Sequence, residues 1–239
     1  TAYEIMSGDW SSDVCSSDLS GGTIRLGDDA AVATGGLVVT GPATFTSESS
    51  ATRSVSSDVT LGGDITIGDL TYDGTLNFTG EIDLGLATRE ITTVADATFA
   101  GNISGQGGLN KTGAGTLTLN ASTTYAAGTT INAGTLLLGA ADRLLDAGLL
   151  TIDTGGTFDL GGFSETVGAV TLTNGTNTNG TLTGTSYDVR AGTVSGILAG
   201  TGIAVTKTTS GTVTFSGSNT YSGATTVSAG TLATTGDER

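Results

Sequence analysis

Leu109 to Leu136 reads LNKTGAGTLTLNASTTYAAGTTINAGTL, and Val205 to Leu232 reads VTKTTSGTVTFSGSNTYSGATTVSAGTL. The two stretches align without a gap, at a constant offset of 96 residues, and half of their positions are identical. The identical positions include the pairs Lys111/Lys207 and Tyr125/Tyr221. Internal copies at a fixed spacing are typical of solenoids, in which one unit buries its apolar face only against a neighbouring unit.

The similarity extends upstream of the two stretches, so that the repeat copies span residues 99–138 and 194–233. The spacing between the copies is compatible with four coils of about 24 residues, a usual length for a solenoid repeat. On this basis the chain from Ser20 onward forms roughly nine or ten coils. Residues 20–239 are therefore predicted to form one β-helical fragment.

The composition predicts an all-β chain. Glycine occurs 40 times, threonine is even more frequent, and helix-forming residues are scarce. Apolar residues alternate with polar ones in many short segments, which is the pattern of half-buried strands. The segments predicted on this basis contain Ile65/Ile67, Leu70/Tyr72, Leu76/Phe78, Ile82/Leu84/Leu86, Leu117/Leu119, Leu136/Leu138, Leu150/Ile152, Phe158/Leu160 and Val213/Phe215.

One segment, Ala140 to Ala147, is compatible either with a helical turn or with a loop at a coil corner. Two architectures explain alternating strands separated by glycine-rich turns: an antiparallel sandwich or barrel, and a parallel β-helix. The internal copies favour the parallel β-helix, which is predicted to be right-handed. Tyr125 and Tyr221 are predicted to occupy equivalent coil corners, where they cover the apolar interior.

The repeated residues also resemble a known family. The pattern K-T-x-x-G-T-L/V-T-L/F, then T-Y, then T-T-I/V-x-A-G-T-L, is similar to the autotransporter-associated β-strand repeat of bacterial type V secretion. The resemblance implies the passenger region of an autotransporter, with a translocator β-barrel located C-terminal of Arg239. The second copy departs from the first at Thr209 and Ala224, where the first copy has Gly113 and Gly128.

Residues 1–19 differ in composition from the rest of the chain. Their sequence, TAYEIMSGDWSSDVCSSDL, resembles the translation of a common sequencing-library adapter. It lacks the charged start and apolar centre of a signal peptide. We therefore predict that residues 1–19 are a non-native, disordered leader, which also contains the only Met, Trp and Cys of the chain (Met6, Trp10 and Cys15).

The sequence indicates no catalytic, cofactor-binding or metal-binding residues. The chain has no His, which excludes His-based triads, and its one Cys lies in the leader. Asp28 and Asp29 are adjacent in the sequence. Four other acidic residues are predicted to be solvated, on turns and on solvent-facing sides of strands, rather than to converge on one site: Asp64, Asp69, Asp73 and Asp83. Leu61-Gly62-Gly63-Asp64 is the nearest fragment to a calcium-binding nonapeptide, but it does not recur. Lys111 and Lys207 are predicted to be solvated or to cap turns.

Nucleic acid and anionic lipid bind to Lys and Arg side chains that neutralise their phosphates, so the formal net charge of −15 disfavours both as partners. We therefore expect no nucleic acid partner and no direct membrane insertion. The function predicted from the resemblance is a non-catalytic, structural or adhesive rod, displayed at the cell surface or released from a Gram-negative-type bacterium. Its expected partners are the translocator barrel and, in the adhesive case, glycans or the surfaces of host or neighbouring cells. Two alternatives remain: an exported β-helix enzyme that acts on polysaccharide, and a secreted extracellular matrix or sheath protein.

Overall fold

The chain winds into a parallel β-solenoid of about ten turns. A computed structural model describes residues 3–5, 17–27 and 35–235, and this part of the chain contains no helix. Every strand pairing in it is parallel. The all-β parallel solenoid that the sequence predicts is thus confirmed.

The strands are short, between two and five residues. In the first third of the chain they are β1 (Tyr3–Ile5), β2 (Ser17–Leu19), β3 (Gly22–Leu26), β4 (Leu37–Val39), β5 (Ala43–Ser47), β6 (Arg53–Val55), β7 (Val59–Leu61), β8 (Ile65–Ile67), β9 (Leu76–Phe78) and β10 (Ile82–Asp83). In the middle they are β11 (Arg89–Thr93), β12 (Ala97–Phe99), β13 (Ile103–Ser104), β14 (Leu109–Thr112), β15 (Thr116–Leu119), β16 (Thr129–Ile131), β17 (Gly134–Leu138), β18 (Leu150–Ile152), β19 (Gly156–Asp159) and β20 (Ser164–Thr166). The last ten are β21 (Ala169–Leu172), β22 (Gly175–Thr178), β23 (Thr181–Thr183), β24 (Ser186–Val189), β25 (Gly192–Val194), β26 (Ile197–Ala199), β27 (Val205–Lys207), β28 (Thr212–Phe215), β29 (Thr225–Val227) and β30 (Thr231–Thr234).

The strands form three faces, which the chain visits in turn. Face 1 is a 12-stranded sheet in the order β1-β3-β5-β8-β11-β14-β16-β18-β21-β24-β27-β29. Face 2 is a 10-stranded sheet that runs from β6 through β9, β12, β15, β17, β19, β22, β25 and β28 to β30. Face 3 consists of a 5-stranded sheet (β2, β4, β7, β10, β13) and a 3-stranded sheet (β20, β23, β26). Face 3 continues between its two sheets through two contacts of Thr123. Thr123 forms a β-bridge with Ile103, and its N–H donates to the Arg143 carbonyl.

The register of face 1 fixes the length of each coil. From the first repeat copy to the second, the residues that lie opposite each other are Leu109, Thr129, Leu150, Val170, Tyr187 and Val205. Five coils of about 17 to 21 residues therefore separate the copies. The expectation of four coils of about 24 residues is therefore wrong.

The core is one continuous column of inward-pointing side chains. Edge-to-face contacts join Phe45 to Phe78 and Phe78 to Phe99, with ring centroids 5.5 Å and 5.3 Å apart. The predicted alternation is confirmed for most segments, since their paired apolar residues are buried. It is wrong for Leu70 and Leu86, which are 98% and 85% exposed, because both lie in corner loops rather than in strands.

The corner that contains Ala140 to Ala147 is a loop, so of the two alternatives the loop is correct. At the other end of the chain, β1 pairs with β3, and β2 pairs with β4. These six residues of the leader thus lie in strands rather than in the disordered chain that we expected. Residues 1–2 and 6–16 lie outside the described residues, and the adapter origin of residues 1–19 stays a prediction.

Candidate functional site

The first repeat copy contains a wholly buried lysine at a corner between face 1 and face 2. Lys111 points inward from β14, and its Nζ donates to the carbonyl oxygens of Thr112, Gly113 and Ala133 at 2.8, 3.0 and 3.0 Å. An ammonium has three N–H groups, so these three bonds satisfy it completely. Burial lowers the pKa of Lys111 from 10.5 to about 8, and the charge of Asp96 opposes this shift.

Lys207 occupies the equivalent position in the second copy and is also fully buried. Its Nζ donates to the carbonyl oxygens of Arg190 and Thr209, at 2.8 and 2.6 Å. The Thr209 hydroxyl also donates to the Arg190 carbonyl, at 2.8 Å. The prediction of a turn-capping role is therefore correct for both lysines, and the alternative of a solvated role is wrong.

The glycine of the shared Ala-Gly-Thr-Leu motif makes room first for the backbone carbonyl oxygens of the corner and then for the lysine beside them. Gly134 and Gly230 have φ angles of 64° and 72°, a conformation that other residues rarely adopt. A Cβ at Gly134 would lie 2.9 Å from the Lys111 Nζ, and one at Gly230 would lie 2.7 Å from the Lys207 Nζ. By contrast, Gly113 and Gly128 have positive φ, whereas their counterparts Thr209 and Ala224 do not, so these two corners differ in conformation between the copies.

The two repeat tyrosines lie at equivalent corners between face 3 and face 1, as predicted. The Tyr125 hydroxyl lies 2.6 Å from Thr129 Oγ1, and the Tyr221 hydroxyl lies 2.8 Å from Thr225 Oγ1. Tyr125 is buried, and burial raises the pKa of its phenol to about 12. Both rings pack on the apolar core, which supports the packing role that the sequence predicts.

Two further buried polar side chains were not identified from the sequence. The Tyr187 hydroxyl accepts from the Gly184 N–H and lies 2.7 Å from the carbonyl oxygens of Leu182 and Ala199. Glu165 points inward from β20, and its carboxylate accepts from the N–H groups of Arg143 and Leu144 at 2.8 and 2.9 Å. Burial raises the pKa of Glu165 to about 7. Glu165 lies two residues before the buried Val167, and the period-two alternation of a strand places both on the inward side. The sequence pattern therefore could have predicted the burial of Glu165.

A polar groove crosses the outer surface of face 1, with a volume of about 240 Å³. Its floor carries a row of threonines in register, namely Thr23, Thr44, Thr66 and Thr92. Asp64 and Glu90 border this row, and Asp64 Oδ1 accepts from the Glu90 N–H at 2.9 Å. Glu90 Oε1 in turn accepts from the hydroxyls of Thr92 and Thr112, each at 3.2 Å. The groove combines hydroxyls with two carboxylates, and no Lys or Arg is among its lining residues.

Of the other acidic residues considered above, Asp69 and Asp83 accept hydrogen bonds from the backbone, whereas Asp73 is exposed, as predicted. Asp69 Oδ1 accepts from the N–H groups of Thr71 and Tyr72, and Asp83 Oδ1 accepts from that of Gly85. Asp28 and Asp29 lie outside the described residues. In the part of the chain that the structure describes, no group of three or more acidic, His or Cys side chains is placed to hold a metal ion. Nor does this part contain a helix of the length and apolarity needed to span a membrane.

The geometry defines a parallel β-solenoid with capped corners that recur between two copies. In a comparison with protein families, residues 109–138 and 205–233 match the passenger-associated-transport-repeat. The chain therefore carries two copies of this repeat, which is a repeat of autotransporter passengers, as the sequence resemblance implied. The repeat and the solenoid together fit an autotransporter passenger. Comparisons with curated proteins and with solved structures give no significant match.

Proposed function

We propose that this chain is the structural rod of an autotransporter passenger, displayed at the surface of a Gram-negative-type bacterium or released from it. The observation that supports the proposal is the presence of two passenger repeats within one uninterrupted solenoid. From β3 to β29 face 1 has eleven strands, and the ten spacings between them, at about 4.8 Å each, give a rod of roughly 50 Å. Such a rod holds whatever it carries away from the membrane, and its role is mechanical rather than catalytic.

Export suits the chemistry of the chain. Apart from Cys15 in the leader, the sequence has no thiol that periplasmic oxidation could cross-link during passage. The contacts that build the rod lie between adjacent coils, so that folding can proceed coil by coil after translocation. The partner that this proposal requires is a translocator β-barrel, and the net charge of −15 argues against nucleic acid and anionic lipid as further partners.

The groove on face 1 is the surface that we propose for an adhesive role. Threonine hydroxyls in register, together with the carboxylates of Asp64 and Glu90, offer many hydrogen-bonding groups to the hydroxyls of a glycan. Without Lys or Arg in its lining, the groove favours a neutral or amino-substituted glycan over an acidic one. A second candidate function, an enzyme that acts on polysaccharide, is favoured by the same carboxylate pair, because glycosidases use two carboxylates.

One experiment tests the proposed role as a displayed rod. The segment 20–235 is placed between a signal peptide with an epitope tag and the translocator barrel of a known autotransporter. We expect the tag to be reached by antibody on intact cells. As a matched control, the same fusion carries Leu117→Asp, which places a charge in the core. A tag that stays inside the cell with the unaltered segment would contradict the proposal.

A glycan-binding assay separates adhesion from catalysis. The chain and its Asp64→Asn/Glu90→Gln variant are incubated with neutral, amino-substituted and acidic oligosaccharides. Binding without turnover that is lost in the variant supports adhesion. Turnover that is lost in the variant would support the enzyme instead, and the absence of both would confine the proposal to a mechanical rod.

A further inference from the structure

A loop takes the place of a strand where face 3 passes from its 5-stranded to its 3-stranded sheet. In the last coil before β20, residues 140–147 lie in the position of face 3 but form a loop, the face 3 loop. Its Arg143 carbonyl accepts from the Thr123 N–H of the preceding coil at 2.8 Å. Its Asp142 N–H donates to the Ser164 carbonyl of β20 at 3.2 Å. The loop thus keeps only part of the ladder that joins one coil to the next.

A buried side chain supplies further bonds to the face 3 loop. The Glu165 carboxylate accepts from the N–H groups of Arg143 and Leu144 at 2.8 and 2.9 Å, in the place of main-chain carbonyl oxygens. Glu165 is 1% exposed, and Leu144 packs on the core. The Arg143 side chain also pins the loop, since its Nη1 donates to the Asn120 carbonyl at 2.8 Å. The loop and the buried carboxylate therefore hold each other in place.

The protonation of Glu165 is coupled to the closure of this loop. Burial favours the neutral carboxyl group, whereas the two N–H donors favour the carboxylate, and burial is the larger effect, so that the pKa is raised from 4.5 to about 7. Of the charged neighbours, Asp142 raises this pKa and Arg143 lowers it. Tyr125, with a pKa of about 12, stays neutral, and Leu182, which lies opposite Glu165 on β23, has no charge. When the loop opens, water reaches Glu165 and the pKa returns to its ordinary value.

We infer that Glu165 is a pH-sensitive latch, which holds the face 3 loop closed in acid and lets it open locally at neutral pH, where the Arg143–Leu144 peptide bond becomes a site of proteolysis. The closed loop binds the proton of Glu165 more tightly than the open loop does, so ionisation above pH 4.5 favours opening, and this effect levels off above pH 7. The protease that fits the site cleaves after arginine. The latch is a property of this corner and does not depend on where the protein is displayed.

Proteolysis of the folded full chain by trypsin, which cleaves after Lys and Arg, tests the latch between pH 5 and 8. Mass spectrometry follows cleavage after Arg143, and a free peptide of residues 138–149 (LGAADRLLDAGL) corrects for the pH dependence of trypsin itself. When opening is fast relative to cleavage, the corrected rate follows the population of the open loop. It should rise by about 50-fold over this range. A corrected rate that does not change with pH overturns the inference.

Two variants assign the rise to one carboxyl group. Glu165→Gln has no proton to lose at this position, so its corrected rate should not change with pH. Asp146→Asn removes an exposed carboxylate from the same loop and should preserve the rise. A rise that persists in Glu165→Gln overturns the assignment to Glu165.

Amide hydrogen exchange of the original chain provides a measurement that needs no variant. After correction for intrinsic exchange, the protection of the Arg143 and Leu144 amides should fall by about the same 50-fold between pH 5 and 8. The amides of β16 and β18 should keep their protection, because the opening is local. An equal loss of protection in these strands would indicate unfolding of the solenoid, and would overturn the latch.

Discussion

Replacement of Lys111 by Met tests whether the buried ammonium stabilises the corner of the repeat. Met has a similar length but no donor, so the variant leaves the carbonyl oxygens of Thr112, Gly113 and Ala133 without their bonds from Nζ. A buried acceptor without a partner costs about 1–3 kcal/mol. The Thr112 carbonyl keeps a contact with the Thr93 hydroxyl at 3.5 Å, so we count each group at the lower end of that range, and the gross loss is about 3 kcal/mol.

Part of that loss is offset, because burial of the Lys111 ammonium costs desolvation free energy, whereas Met has no charged group to desolvate. The lowered pKa of Lys111 reports this desolvation cost, which brings the net loss below the gross figure. The net expectation at pH 7 is a destabilisation of about 1–2 kcal/mol, or a fall in Tm of about 2–8 °C for a domain of this size.

The pH dependence gives an independent check on Lys111. The folded pKa of about 8 lies below the ordinary value of 10.5, so the fold binds this proton less tightly than the unfolded chain does. Stability from Lys111 should therefore rise as the pH increases from about 8 to 10.5. The Met variant lacks this rise, and the difference in Tm between the two proteins should widen over the same range.

Thermal unfolding and hydrogen exchange over residues 109–138 measure these effects, with Lys207→Met as the matched control. Loss of Lys207 removes the bonds from Nζ to the carbonyls of Arg190 and Thr209, but the Arg190 carbonyl keeps the bond from the Thr209 hydroxyl. We expect a smaller destabilisation, of about 1 kcal/mol. A Lys111→Met variant as stable as the original protein at pH 7 would refute the idea that the ammonium stabilises the corner.

Three more substitutions test other parts of the solenoid. Burial raises the pKa of Glu165 to about 7, so the fold binds this proton more tightly than the unfolded chain, and we expect the Tm to fall as the pH rises from about 4.5 through 7. Glu165→Gln should abolish this fall, and equal pH profiles of the two proteins would contradict the expectation. Phe78→Ala should cost about 3–5 kcal/mol in denaturant unfolding, because it empties the centre of the aromatic column, whereas Phe163→Ala, at a half-exposed corner, should cost much less. Tyr187→Phe should cost about 1–3 kcal/mol by removing the partner of the Gly184 N–H, and Tyr221→Phe, whose hydroxyl bonds only Thr225, should be nearly neutral in the same assay.

Several features of this protein follow from the sequence because they depend on local pattern. Alternation at positions such as Leu117/Leu119 and Val213/Phe215 requires a strand with one buried face, and the structure buries all four residues. The repeated block requires stacked units, since each copy lacks a core of its own. The equivalent corners of Tyr125 and Tyr221 follow from the same repetition.

Other features were decided only by the tertiary structure, because they depend on how successive coils are aligned. The offset of 96 residues between the copies must correspond to a whole number of coils, but it does not say how many. The register between coils shows that the number is five rather than four. Leu70 and Leu86 continue an apolar alternation, yet both are exposed, because the chain turns a corner before it reaches them. Lys111, Lys207 and Glu165 are charged in the sequence, but each is buried, because carbonyl or N–H groups left unpaired at the corners of the fold supply the bonds that replace water. Local pattern thus determines which residues form strands, whereas the backbone groups that converge at each corner determine which polar side chains enter the core.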